Sequence, residues 1–190
     1  MSRVEARERW TVSDLDGFPD DEWQRYEIID GELFVSRAPG DDHAEALGQC
    51  IGEVVYWNNQ TGLGRVLVGP GIIFGEYDAV IPDFVWLSHE RSAVVLGEDK
   101  HLHGPPELVV EVLSPGATNE RRDRQVKLKQ YSIYGVSEYW IVDPRVRTVA
   151  VYRRQRARLR LVATLGSDDT LVSPLLPGFS LAVARLFPRG

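Results

Sequence analysis

One cysteine, Cys50, stands in 190 residues, and no apolar run approaches the roughly 20 residues needed to cross a bilayer. A single thiol excludes an internal disulfide framework and fits a reducing compartment. The opening residues, MSRVEARERW, are charged and lack the apolar stretch of a signal peptide. No internal repeat and no linker interrupt the chain. The expectation is a soluble, cytoplasmic protein without membrane association, folded as one domain over 1–190 with an irregular lead-in over 1–22. Apolar and charged fractions of 43% and 26% are those of an ordinary globular protein.

The net charge of −6 hides an asymmetry. Residues 1–120 hold 8 Lys and Arg against 23 Asp and Glu, whereas residues 121–160 hold 12 against 3. An acidic body would not steer a polyanion toward the protein, yet one basic segment could neutralise phosphates locally. The alternative is that this segment is a solvated strand edge, protected from mispairing by its arginines.

Pro106 to Pro115, PELVVEVLSP, is the stretch around which the chain is organised. Its Val-rich run between prolines reads as a strand buried on both faces, interrupted by Glu111. A carboxylate in such a strand is costly without a cation, a proton or a hydrogen-bond partner. Val80 to Leu87 repeats the oddity with Asp83. Around these, Tyr26–Ile29 and Glu32–Ser36 flank an Asp30-Gly31 hairpin signal. Asp41 and Asp42 can cap a helix whose apolar stripe is Ala44, Leu47, Ile51, Val54 and Val55. Arg65–Val68 and Ile72–Phe74 read as short strands. Ser88 to Gly104 reads as a polar loop; its His89, His101 and His103 lack the spacing of a zinc site. Further strands are expected over 138–142, 148–153 and 159–163. Phe179, Leu181 and Val183 finish the sheet or pack across it. Tyr139 and Trp140 read as core and sheet surface, not as a base-stacking platform.

A helix is expected from about Glu120 to Tyr134, closed by Gly135 at a C′ position. At 100° per residue, Arg121, Gln125, Lys129 and Ser132 share a polar face, while Asp123, Val126, Lys127, Gln130, Tyr131 and Tyr134 share the other. A strand–helix–strand crossover lays the second face over the strand it came from, so Lys127 should look back at Glu111. The competing readings of Lys127 are snorkelling to solvent and a plain ion pair with Asp123 at i−4.

These motifs together resemble the Uma2 family of restriction-endonuclease-like proteins. The likeness is carried by Ile81-Pro82-Asp83, Pro106 to Pro115, Asp123, Lys127, Tyr131, Gly135 to Pro144 and Leu176-Pro-Gly-Phe179, with Tyr26 to Leu33 and His43 in support. The family is similar to the PD-(D/E)XK nuclease superfamily. That implies an α/β fold, a mixed β-sheet of four or five central strands flanked by helices, here with an N-terminal hairpin. Asp83 would be the aspartate of that motif and Glu111 its second acid. The lysine expected two residues later is replaced by Leu113, and Lys127 from the next helix would supply the amine.

The resemblance implies a metal-dependent endonuclease. Two carboxylates and the backbone carbonyl of Val112 would suit Mg²⁺ or Mn²⁺. The substrate would be nucleic acid, DNA first, with a symmetric homodimer as the default assembly. His43, Gln130 and Tyr131 are candidates to support the site. Glu27, Glu32 and Glu45 are expected to be surface charges, with recruitment of one to the site as the alternative. Two other function classes stand beside the enzyme. One is a nucleic-acid-binding protein that keeps the pocket without useful turnover. The other is an interaction protein that uses the Arg-rich hairpin from 145 to 160. Convergence of Asp83, Glu111 and the Lys127 amine in one open pocket is the geometric expectation on which the site assignment rests.

Overall fold

The structure, a computed structural model, describes residues 9–19 and 23–187. A 3₁₀ turn at Val12–Gly17 forms part of the expected lead-in, whose residues 1–8 and 20–22 lie outside the described residues. Strands β1 (Gln24–Ile29) and β2 (Glu32–Arg37) make the hairpin, with Ile29 opposite Glu32. Asp30 and Gly31 both have positive φ, 53° and 75°, as a two-residue turn matched to strand twist requires.

Helix α1 (Asp41–Thr61) follows, ending on Gly62 in the left-handed region. Then come β3 (Gly64–Val68), β4 (Ile72–Gly75), β5 (Asp78–Val80) and β6 (Phe84–Ser88). The segment expected to be a loop contains a short helix, α2 (His89–Val95), capped by the Ser88 hydroxyl accepting from the Arg91 amide at 3.1 Å. Val95 and Leu102 are buried there, which anchors a stretch that is otherwise polar.

Strand β7 (Leu108–Val112) leads into α3 (Ala117–Arg121), a π-helical turn (Arg122–Lys127) and α4 (Leu128–Tyr134). The single helix expected from the sequence is therefore a composite that starts earlier and widens in the middle. Gly135, at φ 102°, closes it. Strands β8 (Glu138–Asp143), β9 (Thr148–Gln155) and β10 (Arg158–Leu165) follow, with two-residue strands β11 (Thr170–Leu171) and β12 (Leu181–Ala182) near the end.

The large sheet is mixed, in the order β10-β9-β8-β7-β6-β3. It has six strands rather than four or five. Strands β7 and β8 are parallel and joined by the composite helix; the other neighbours are antiparallel. A second sheet, β2-β1-β5-β4, holds the hairpin. Strands β11 and β12 pair with each other, so the closing segment packs across the large sheet and does not extend it.

Side-chain alternation divides the core. Phe84, Trp86, Leu108, Val110, Val112, Trp140 and Val142 face one side, against α1 and the closing segment. Val85, Leu87, Val109, Leu113, Tyr139 and Ile141 face the other, against Tyr131 of α4. Tyr139 and Trp140 are both fully buried, so both belong to the core and neither to the sheet surface. The buried face of α1 runs through His43, Ala46, Cys50, Val54 and Trp57, whereas Ala44 is exposed. It is rotated from the stripe read in the sequence, with Val54 common to both and Leu47 and Ile51 half-buried at its edge. Burial pushes the Cys50 thiol up to about 12, leaving it an inert core residue.

The basic segment divides: Arg121, Lys129, Arg147, Arg156, Arg158 and Arg160 are exposed, and its other six cations are held by contacts within the fold. Arg122 and Lys127 pair with Asp123 and Glu111, Arg124 and Arg145 with Asp143, and Arg153 with Glu138. Arg154 donates to the carbonyls of Tyr131, Ser132 and Val136, tying β9 to the end of α4.

Candidate active site

The chain passes from the small sheet to the large one at Ile81-Pro82-Asp83, between β5 and β6. A buried crossing must satisfy every backbone amide or leave it unpaired at a cost. The Ile81 amide donates to Glu27 Oε1 at 2.8 Å, and the Asp83 amide points to Glu111 Oε2 at 3.4 Å. Pro82 has no amide to satisfy. The crossing is thus stitched by two carboxylates that approach from other strands.

Asp83 is 5% exposed. Its Oδ2 accepts from the Val112 amide at 2.8 Å, which locks the carboxylate against the end of β7. Its Oδ1 lies 3.4 Å from Arg25 Nη1 and 3.4 Å from His43 Nε2. The His43 contact has no hydrogen-bond geometry, so the buried Nε2 has no hydrogen-bond partner among the described residues. On the other side of the ring, Nδ1 meets the Ser114 hydroxyl at 3.2 Å.

Glu111 shares the β7 face of Val109 and Leu113, under the composite helix. Its Oε1 accepts from Lys127 Nζ at 2.8 Å and from the Tyr131 hydroxyl at 3.1 Å. Lys127 does not snorkel: its side chain is 1% exposed, and its amine also reaches Glu27 Oε1 at 2.8 Å. Asp123, at 3.9 Å from the amine, is a lesser partner held by Arg122 at 2.9 Å. Lys127 belongs to the π-helical turn, where the backbone is locally wider, a feature often found at functional sites.

The expectation that Glu27 is a surface charge is overturned; it is 2% exposed. The inner end of β1 lies beneath the composite helix, and Glu27 serves Lys127 and the Ile81 amide together. Glu32 and Glu45 are exposed. Gln130 does not join the acids. It donates to Asp78 Oδ1 at 2.8 Å, and Tyr134 donates to Asp78 Oδ2 at 2.7 Å, so the two hold α4 onto the small sheet.

Burial pushes the Glu111 carboxyl up to about 8; the Lys127 ammonium opposes this, and the neighbouring acids Asp83, Asp123 and Glu27 reinforce it. Asp83 moves the other way. Burial would raise it, but the His43 ring, the Val112 amide and Lys127 more than offset that, leaving it below the usual carboxylate value. For Lys127, burial favours the neutral amine, yet Glu111, Glu27 and Asp123 hold it well above the ordinary lysine value. The site therefore contains an ionised Asp83, a locked ammonium and a glutamate poised near neutrality.

Asp83, Glu111, Val112 and Lys127 line one cavity with Arg25, His43 and Arg122. It measures about 40 Å³, room for about three waters or an ion with part of its shell. The donor set fits a hard cation. Among the described residues, the polar partners of Asp83 Oδ1 (Arg25 and His43) and of Glu111 Oε2 (the Asp83 amide) all lie at 3.4 Å, long contacts that a cation could replace. No group of three His, Cys, Asp or Glu side chains is arranged as a metal cluster among the described residues. Two carboxylates completed by backbone oxygen and water are what Mg²⁺ commonly takes.

A mixed sheet whose adjacent strands bring an aspartate and a glutamate to a buried lysine from the crossover helix has the build of a nuclease-like α/β protein. Five chains among solved structures match. One is described as the "Crystal structure of a putative nuclease belonging to DUF820 from Anabaena variabilis ATCC 29413". It superposes with a TM-score of 0.72 at 19% identity, covering 93% of this chain and 96% of that one. No curated protein matches. The Uma2 family model, described as "Putative restriction endonuclease", matches residues 11–184, and the chain belongs to the Uma2 family. No helix among the described residues is long and apolar enough to cross a membrane.

Proposed function

We propose that the protein is a divalent-metal-dependent nuclease that hydrolyses phosphodiester bonds of nucleic acid, DNA first. The observation that carries this reading is the cavity where Asp83 Oδ1 and Glu111 Oε2, each with only long polar contacts of 3.4 Å, stand beside the Lys127 amine. Asp83, Glu111 and the Val112 carbonyl would hold Mg²⁺ or Mn²⁺. Such an ion, when bound, polarises the scissile phosphate and makes water a better nucleophile.

The protein's own groups do the rest. Asp83 is kept ionised by the Val112 amide and the His43 ring, so it receives a cation without first losing a proton. Glu111 must shed its proton to do so, and Lys127 and Tyr131 stabilise the ionised oxygen they already touch. An amine held this far above its ordinary pKa cannot act as a base at neutral pH. Lys127 instead offers a fixed positive charge to the negative charge that builds on the phosphate. Glu27 orients the amine from its far side.

Calorimetric titration with Mn²⁺, on wild type and Asp83→Asn, tests the reading together with cleavage of plasmid and single-stranded DNA. Binding by wild type that disappears in Asp83→Asn, with cleavage lost in Lys127→Ala, is expected. Wild type that binds no Mn²⁺ under conditions where it stays folded would overturn it.

A further inference from the structure

The strand that supplies Glu27 continues outward as a row of different chemistry. The Ala38 amide donates to the Trp23 carbonyl at 3.0 Å, extending the β1–β2 ladder one residue beyond β1. Trp23, Arg25 and Glu27 therefore share one face of the strand, spaced about 7 Å apart. Exposure falls steeply along the row. Trp23 is 72% exposed, Arg25 has a 39% exposed side chain at the cavity rim, and Glu27 is buried beside Lys127. The opposite face of the same strand is already occupied, with Tyr26 stacked on Phe18 at 4.7 Å and Phe18 on Trp10 at 5.4 Å.

We infer that Trp23 and Arg25 form a track for an unpaired stretch of nucleic acid, one phosphate resting on the Arg25 guanidinium and the neighbouring base stacking on the Trp23 indole. The inference rests on the nuclease reading and adds the form of substrate. Three observations support it. The acids are recessed, with side chains 6% and 4% exposed for Asp83 and Glu111, so a phosphate must be drawn inward to reach them. A single strand has the backbone freedom to do this, whereas a duplex holds its phosphates on a stiff convex surface.

The cavity of about 40 Å³ takes no base, so the base beside the scissile phosphate must be held outside it. An exposed indole one strand step beyond the rim cation is placed for that. Finally, Arg25 and Arg37 are two of only 8 basic residues in the acidic first 120, and both line this cavity. Arg25 now leans on Asp83 Oδ1, the oxygen a cation would take, and a phosphate at the rim gives the guanidinium another partner.

Fluorescence anisotropy tests this with a labelled 12-nucleotide single strand and a hairpin duplex of the same sequence, both in EDTA so that neither is cut. Wild type is expected to bind the single strand at least tenfold more tightly. Trp23→Ala should weaken single-strand binding about tenfold, and Trp23→Phe, which keeps an aromatic face, should restore most of it. Arg25→Gln should reduce the salt dependence of binding by about one phosphate contact. Equal affinity for the two forms, no effect of Trp23→Ala, or no binding of either oligonucleotide would overturn the inference. Failure of the nuclease reading shows separately, in the Mn²⁺ titration, which contains no nucleic acid.

Discussion

The two faces of β7 differ by one residue of register and by everything else. Leu108, Val110 and Val112 point into an apolar cluster with Trp140, Trp57 and Phe179, and the buried acid on this side, Glu138 opposite Leu108, lies at the strand's start, held by the Trp140 indole and Arg153. Val109 and Leu113 point the other way with Glu111 between them, toward Lys127, Glu27 and Asp123, all 3% exposed or less. The first face gains from each apolar group it removes from water. The second incurs the desolvation of several charges and recovers it through short, mutually satisfied contacts. A strand buried on both sides can thus separate stability from chemistry with a period of two.

The sharpest way to break that contrast is Lys127→Ala. It leaves Glu27 and Glu111 buried without their cation, an expected loss of about 3–5 kcal/mol at pH 7 by urea denaturation, with cleavage abolished. The loss should grow as pH rises through about 8, where wild-type Glu111 gives up its proton beside the ammonium and the variant's cannot. A constant loss across that range would mean that packing, not charge, is what the lysine supplies. Leu108→Ala on the apolar face should cost about 2–5 kcal/mol at every pH, while the folded fraction keeps its Mn²⁺ affinity. If Mn²⁺ binding weakens as well, the faces are not separate.

The pH dependence sharpens the comparison further. Glu111 titrates near 8 in the fold against an ordinary 4.5, so between these values the folded state holds the extra proton. Metal-free stability should fall as pH rises from about 5 to 8, and Glu111→Gln should flatten the curve. Saturating Mn²⁺ should flatten it too, and its binding at pH 6.5 should release close to one proton, read from the dependence of the calorimetric heat on buffer ionisation. A pH-independent midpoint in wild type would contradict this. Glu27→Gln, which keeps the acceptor for the Ile81 amide, should lower cleavage about tenfold while costing under about 1.5 kcal/mol. Lys129→Ala, two residues from Lys127 but exposed, should stay within about 0.5 kcal/mol and leave cleavage unchanged.

Much of this was legible because local chemistry decided it. A Val-rich strand with one acid, an Asp-Gly hairpin and a helix closed by glycine announce themselves within a few residues. Lys127 could be aimed at Glu111 because a crossover helix must show one face to its own strand. Glu27 could not be found that way. The burial of β1 rises along the strand instead of alternating, because a helix nearly a hundred residues away lies over its inner end. The π-helical turn is similarly silent in Arg122 to Lys127, since packing over the sheet sets its width. His43 was visible only as a weak candidate, because the apolar residues of α1 suggest a face rotated from the buried one. For α2 the signal was present, a serine cap before Glu90, but too short to outweigh the polar run around it.

The crossing at Ile81-Pro82-Asp83 has an evolutionary consequence. Glu27 and Glu111 receive the amides of Ile81 and Asp83, and Asp83 receives that of Val112, so the acids are joinery as well as chemistry. A relative with no nuclease activity would still be punished for losing any of them. Inheritance of the three acids is therefore enforced by folding alone. The mark of a lineage still under selection for cutting would fall instead on residues the fold can spare, such as Trp23 and Arg25 at the rim.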